Sequence, residues 1–392
     1  MSSVADLVTA NAAAGEMARR ERMARAWRAY CGEMPRPLRV RPGDPDDNIL
    51  LNFPRLVVDK GASALFGAEP GFRVRGGGSE GAEAWLERVW EANRKGALLH
   101  AIGVNGAVCG HAFVRIRPGR ATAGGAGLPR LVNLDPQTVR VFHAPDDYEA
   151  VTAYRLEWHG IDPLSGRPTA FRETIERRGG PAAWLVRQEA SEGDGPWRVV
   201  SEASWPFGWP PIAGCQNLPA PNELWGVGDL EGDVLAVCNA INFTLSNMAR
   251  ILRFHAHPKT WGSGFSARQL DVAADGLTIL PSPEARLQNL EMQSDLGSSL
   301  QMVARLKEAL HEIARIPEVA TGRLEGLGTL SGTALRILYE PLVEKTRTKR
   351  LLYGEMLEEV GRRLLEMGGF GPEARVEVEW PPLGPPEEVG AG

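Results

Sequence analysis

Several groups of side chains in this chain have types and spacings that could do chemistry. Residues 226–232 read Gly-Val-Gly-Asp-Leu-Glu-Gly just ahead of a helical pattern, the general look of a loop that cradles phosphate. The spacing is G-x-G-x-x-x-G rather than G-x-G-x-x-G, and the Pro-rich passage before it is not a buried strand. Asp229 and Glu231 also place negative charge where phosphate would sit, which suits a helix N-terminus and repels an anionic ligand. The segment therefore reads as a helix entry with Asp229 as its N-cap. His255 and His257 flank Ala256, and His311 lies farther on. Zinc needs three or four converging ligands, and nothing near these histidines completes a set. Ser331, in Leu-Ser-Gly-Thr-Ala, has no evident His or Asp partner motif and serves as a helix N-cap. Lys345, Arg347, Lys349 and Arg350 interrupt the apolar face of a long helix. They read either as a solvated face or as a contact with another subunit or DNA. No metal, nucleotide or other cofactor is expected.

The elements that must position these groups follow from periodicity. Residues 4–30 form a helix with Arg19, Arg20, Glu21, Arg22 and Arg25 on a solvated face. A Pro- and Arg-rich loop spans 31–47, and helices are predicted over 48–66, 81–96 and 98–108. From Cys109 the period changes to two, with Ala112, Val114 and Ile116 alternating against Phe113, Arg115 and Arg117. Further strands are predicted over 130–134, 138–143, 151–158, 172–177, 182–188 and 197–202. The gaps are too short for helical crossovers, so the pairing is antiparallel and residues 4–221 make one α+β unit.

Beyond a Pro-rich passage at 206–221 comes an arm. Its first helix, opening at Asp229, carries Val234, Cys238, Ile241, Leu245, Met248 and Leu252 in one apolar seam. A compact non-helical piece over 258–296 returns the chain to a second helix carrying Leu300, Val303, Leu306, Leu310 and Ile313. A Gly-rich break over 321–331 follows, whose Leu324, Leu327 and Leu330 are out of place in a solvent loop unless another subunit or DNA covers them. The third helix, 332–366, contains Pro341, which removes a donor and crowds the Ile337 carbonyl, so a kink is expected there. Residues 375–380 read as a last strand, and 381–392 as a frayed tail.

Composition narrows the class. The 392 residues are 43% hydrophobic and 24% charged, ordinary globular values, with a formal net charge of -5. That balance argues against a surface that grips nucleic acid, though not against one that lets DNA pass. The four cysteines show no CxxC spacing, which argues against a disulfide framework and for a reducing compartment. No apolar run is long enough to span a bilayer, and no signal peptide is evident.

These segments, in this order, resemble the portal proteins of tailed bacteriophages, most closely the SPP1-type portal family. The likeness is carried by Asn48-Ile-Leu-Leu-Asn-Phe-Pro-Arg-Leu-Val-Val-Asp59 followed by Ala64-Leu-Phe-Gly-Ala-Glu-Pro70, and by Asn133-Leu-Asp-Pro-Gln-Thr-Val-Arg-Val141 with the strand-rich run through Tyr154-Arg155. Gly228-Asp-Leu-Glu231 with Asn239 and Asn242, and Leu330-Ser-Gly-Thr-Ala-Leu335, extend it over roughly residues 45–380. The resemblance implies a portal fold. It would comprise an α/β wing with mainly antiparallel strands (1–225), stem helices (226–257 and 297–316) and a small clip (258–296). A tunnel loop (317–330), a long kinked wing helix (331–368) and a terminal strand and tail (369–392) would complete it. A helical crown usually follows the last strand in this family; here it is expected to be absent or vestigial, or the chain is a shortened one.

The resemblance also implies a role. The chain would be a non-enzymatic subunit of a twelve-membered ring at one capsid vertex of the virion, assembled in the bacterial host cytoplasm. Double-stranded DNA would pass through the channel without sequence specificity. The tunnel loop would comprise Val319, Thr321, Gly322, Arg323, Leu324, Glu325, Gly326, Leu327, Gly328 and Thr329. The clip, with Lys259, Trp261, Phe265 and Arg268, would dock the terminase large subunit and later a head-completion adaptor. Lys345, Arg347, Lys349 and Arg350 would make the long-helix contacts, and the ring would meet major capsid and scaffolding proteins but no membrane. The alternatives are a nucleotide-dependent nucleic-acid-processing enzyme using 226–232 or the loop glycines, and a scaffold or adaptor with no channel.

Overall fold

The computed structural model describes residues 4–76, 80–119, 127–162, 165–178, 184–193, 195–256, 259–264, 283–290, 296–322, 332–371 and 373–384. The chain begins with α1 (Val4–Tyr30) and α2 (Phe53–Phe66). α2 starts later than its apolar pattern suggests because the Asn52 side chain accepts the Arg55 N–H at 3.0 Å, an N-cap that fixes the first turn with Pro54 inside it. Strand β1 (Gly71–Arg75), helix α3 (Ala82–Ala92) and helix α4 (Lys95–Cys109) follow. α4 ends on Gly110 at φ +79°, where the chain turns directly into β2 (His111–Arg117).

β2 is the middle of a three-stranded antiparallel sheet with β3 (Arg130–Leu134) and β9 (Ile212–Gln216). The alternation expected for β2 does not separate a core face from a wet one: six of its seven residues are buried, because both faces are covered. Between β3 and β9 runs a five-stranded antiparallel meander of β4 (Val139–Ala144), β5 (Asp147–Ile161), β6 (Pro168–Arg177), β7 (Trp184–Glu192) and β8 (Arg198–Trp205). Its inward face carries Tyr154, Leu156 and Ile175, and its other face a ladder of Arg–Glu pairs such as Arg172–Glu189 and Arg187–Glu202. A buried ion pair, Arg115 of β2 with Glu173 of β6, pins the two sheets together, and Gln188 donates to the second Glu173 oxygen at 2.8 Å.

The arm is an antiparallel helical pair, α5 (Val234–Ala256) and α6 (Leu296–Ala314). Between them, β10 (Lys259–Ser263) pairs with β11 (Arg286–Leu290) in a two-stranded ribbon. The apolar seam of α5 is buried at Val234, Cys238, Ile241 and Met248, but Leu252 is 51% exposed; Leu300 of α6 is 60% exposed. A short turn at Glu318–Thr321 precedes α7 (Gly332–Met367), which runs through Pro341. Ile337, whose carbonyl loses its partner there, is 69% exposed, so water can reach the orphan group. The chain closes with β12 (Arg375–Glu379) antiparallel to β1, setting Val376 opposite Val74 and Val378 opposite Phe72.

α7 is the spine. Tyr353, Met356, Leu357, Val360 and Leu364 join the sheets and α3–α4 in one core, while Leu342 joins a second core under the base of the arm with Val58, Val108, Val234 and Leu310. Arg19 of α1 is a correction to the solvated face expected of it. It is 4% exposed, pairs with Glu16, donates to the Val139 carbonyl at 3.2 Å and stacks 3.7 Å from the Trp225 ring centroid. α4 passes α7 so closely that a Cβ on Gly106 would run into the Tyr353 hydroxyl. Gly106→Ala is expected to cost about 1–3 kcal/mol of unfolding free energy, the usual penalty of overpacking. Tyr353→Phe should recover part of it, and additive losses in denaturant titrations of the double variant would contradict the contact.

Candidate functional site

The arm, the sheets and α7 meet at one buried polar cluster. Its centre is Asp229, which does not cap α5; that helix starts five residues later, at Val234. Asp229 is buried, and its backbone N–H donates to the Ala107 carbonyl at 2.6 Å near the end of α4. One carboxylate oxygen accepts from Lys349 Nζ at 2.7 Å. The other accepts from Asn217 Nδ2 at 3.1 Å and lies 3.4 Å from Lys345 Nζ. Asn217 Oδ1 in turn accepts the Tyr353 hydroxyl at 3.2 Å. Lys345 also donates to the Ala314 carbonyl at 3.0 Å, at the C-terminal end of α6, where a helix presents partial negative charge. A Cβ on Gly61 would stand 2.7 Å from Asp229 Oδ2, so α2 approaches the cluster only because that position has no side chain.

Two ammonium groups thus share one carboxylate, which the Asn217 amide also serves, and Lys345 alone reaches the helix terminus. Burial alone would raise the Asp229 carboxyl, but Lys349 and Lys345 outweigh it and hold the group down at about 2. Lys349 is pushed down to about 8, by burial first and by the neighbouring Lys345 charge, against the pull of Asp229. Burial raises the Tyr353 hydroxyl well above its usual range, so it is a donor throughout.

This cluster corrects two expectations for the basic run of α7. Lys345 and Lys349 are buried, at 3% and 2% exposure, and their charges are spent inside the subunit, so neither faces solvent, DNA or a neighbour. Arg347 is exposed and pairs with Glu340 at 3.0 Å. Arg350 is half-buried, donates to the Pro381 carbonyl and stacks 4.9 Å from the Trp380 ring centroid, which ties α7 to the end of β12. The 226–232 segment is likewise no phosphate cradle. A Cβ on Gly226 would meet Gln216 and the Gly110 and Leu218 carbonyls within 2.6 Å, and the Asp229 carboxylate is already occupied.

The remaining expected residues fall into two groups. Val319 is buried, Thr321 Oγ1 donates to the Glu318 carbonyl at 2.6 Å, and Gly322 turns the chain at φ +86°. Arg323, Leu324, Glu325, Gly326, Leu327, Gly328 and Thr329 lie outside the described residues, as do Ser331, His257, Phe265 and Arg268. Lys259 and Trp261 sit on β10, with Trp261 46% exposed. Asn217, Gly61 and Gly106 were not singled out by sequence reasoning. Among the described residues no three His, Cys, Asp or Glu side chains converge on a metal-sized site, and no helix is long and apolar enough to cross a membrane.

Comparison with known proteins adds the following. A family model described as phage portal protein, SPP1 Gp6-like, matches residues 186–385, just over half of the chain. No curated protein sequence matches. Among solved structures, a chain from the virion of a native gene transfer agent particle is 13% identical at a TM-score of 0.50, covering 94% of this chain and 84% of that one. A chain from the neck of an empty gene transfer agent particle, computed with C6 symmetry, is 12% identical at a TM-score of 0.49, over 86% of this chain and 81% of that one. One from the neck of the native particle, computed with C12 symmetry, is 13% identical at 0.43, over 83% and 78%. The first of these carries the fold likeness.

The cluster makes stability depend on pH in two windows. The unfolded chain binds more protons than the folded one wherever pH lies between the folded and unfolded values. For Asp229, stability is complete above about pH 4 and about 2 kcal/mol is lost as pH falls toward 2. For the depressed Lys349, stability rises by about 3 kcal/mol from pH 8 to pH 10.5. Asp229→Asn should cost about 3–5 kcal/mol at neutral pH by stranding two buried cations, and Lys349→Met should flatten the alkaline rise. Denaturant melts across pH that give parallel curves for wild type and both variants would refute the cluster's charge pattern.

Proposed function

The chain belongs to the SPP1 Gp6-like family of phage portal proteins, and on that premise we propose that it is the subunit of a twelve-membered ring set at one vertex of a capsid. The ring admits double-stranded DNA during packaging, retains it afterwards and releases it at ejection. The α5–α6 pair is the stem, the piece between them is the clip, and the sheets with α1–α4 and α7 are the wing. The clip, including Lys259, Trp261, Phe265 and Arg268, docks the terminase motor and later a head-completion adaptor. Residues 319–329 form the loop that faces DNA.

The observation that carries this reading is the foot of the helical pair. α6 ends at Ala314, whose carbonyl accepts from the buried Lys345 of α7, so the helices on either side of residues 323–331 are tied to each other. A loop with such anchored ends can shift at a constriction without unseating the stem. Charge supports the same role. A subunit at -5 gives a ring that does not hold phosphates, and a channel meant for sliding loses nothing by that, since each neutralised phosphate adds affinity and drag. The work of packaging then comes from a separate motor, and the subunit itself is structural rather than catalytic.

Electron microscopy of the purified full chain should show twelve-fold rings with an axial pore wide enough for a duplex (~20 Å from groove dimensions). A protein that stays monomeric under all conditions sinks the proposal. Deleting Gly326-Leu-Gly328 should leave ring formation and melting unchanged but depress DNA packaging in a reconstituted or phage-based assay. Normal packaging by that deletion would remove the loop from the mechanism.

A further inference from the structure

Two charged features at the base of the arm have no counterpart inside the subunit. The first is a cleft of about 710 Å³ between α1 and the start of α5. Arg22, Arg25 and Arg28 line one side of it, spaced three apart along α1, exposed, and in no ion pair among the described residues. Its other side is the first turns of α5, where the helix N-terminus adds positive potential. Two carboxylates also line the cleft, Glu33 and Glu231, and the Glu231 side chain is already engaged by the Gly228 N–H at 2.9 Å. The cleft is therefore net positive.

The second feature is on α6. That helix buries Val303, Leu310 and Ala314, so the opposite stripe is Gln301, Arg305, Glu308 and Glu312. Arg305 and Glu308 neutralise each other at 2.7 Å. Glu312 is left in the last turn, where the helix terminus is itself negative, exposed and in no ion pair among the described residues. A carboxylate at that end of a helix is misplaced for the isolated subunit and well placed for a cation from outside. Exposed Ile313 beside it offers apolar contact area.

The two features stand at the same height. The core under the arm joins Val234 and Cys238 at the start of α5 to Leu310 and Ala314 at the end of α6. They also belong to different faces, since none of the residues lining the cleft comes from α6. A positive cleft and the Glu312 carboxylate, level but on separate faces, form a head-to-tail pair, the arrangement that closes a ring.

We infer that the Arg22–Arg25–Arg28 cleft of one copy receives the Glu312 end of α6 from the next copy, as the electrostatic seam of the ring. This inference rests on the ring reading above and adds which faces meet. The occupant is a second copy because the complementary charge is on this chain at the matching level. An interface of this kind sets register and assembly rate and weakens with salt.

The test uses full-length chains carrying Arg25→Glu or Glu312→Arg, both at exposed positions, with circular dichroism of the monomers as a fold check. Each variant alone should need at least about tenfold higher concentration to form rings, because like charges then oppose at every seam. Mixed one to one, the two should assemble again, since every seam of an alternating ring then joins opposite charges. Mass photometry and native mass spectrometry read both results. Variants that assemble singly like wild type, or a mixture no better than its components, overturn the seam while leaving the ring intact. Failure of wild type to form any ring would instead overturn the ring reading itself.

Discussion

The architecture depends on one carboxylate. Asp229 sits in a buried space between two lysines and ties together elements that also share the second core: the end of α4, the loop after β9, the entry to α5, the middle of α7 and, through Lys345, the end of α6. Apolar packing alone would allow these elements to slide by small amounts, because dispersion contacts are many and weak. Hydrogen bonds to buried charges are directional and expensive to leave unmade. The angle at which the arm leaves the body is therefore set by a few polar contacts, and the two cores on either side fill in around them.

Charge inside the body recurs at the join between the two sheets. Arg115 and Glu173 meet where β2 faces β6, with Gln188 completing the carboxylate. Burial depresses the Arg115 guanidinium while Glu173 acts against that shift. In both places a salt bridge fixes register between elements whose apolar surfaces would tolerate several alignments. Residues outside the joins show the opposite pattern. The outward ladder of the meander pairs its charges in the open, where each pair contributes little to stability.

The helices of the arm, the change to a period of two after Cys109 and the last strand were legible because they are local signals: apolar spacing, turn residues and alternation. The start of α5 was misread because Asp229 has the chemistry of an N-cap, and only tertiary structure shows its carboxylate turned toward lysines 116 and 120 positions away. A signal for those lysines did exist. Leu342, Lys345, Lys349, Tyr353 and Met356 keep the three-and-four spacing of one helix face, so Lys345 and Lys349 occupy seam positions rather than a solvated side. A cation in a seam demands a buried anion, but nothing in one sequence names which acid supplies it. Gly61 and Gly106 were illegible for a related reason, since their role is to admit Asp229 and Tyr353, which lie far along the chain.

The pairing of β1 with β12 bears on the order of events during synthesis. Gly71 lies opposite Glu379, and among the described residues no other strand lies beside β1. A ribosome therefore delivers the first four helices, the sheets and the whole arm while one edge near the start of the body still lacks its mate. Phe72 and Val74 wait for Val378 and Val376, which emerge only after the arm and α7. The body cannot close on this edge before β12 has left the ribosome. Late closure of this kind makes β12 the latch on the body.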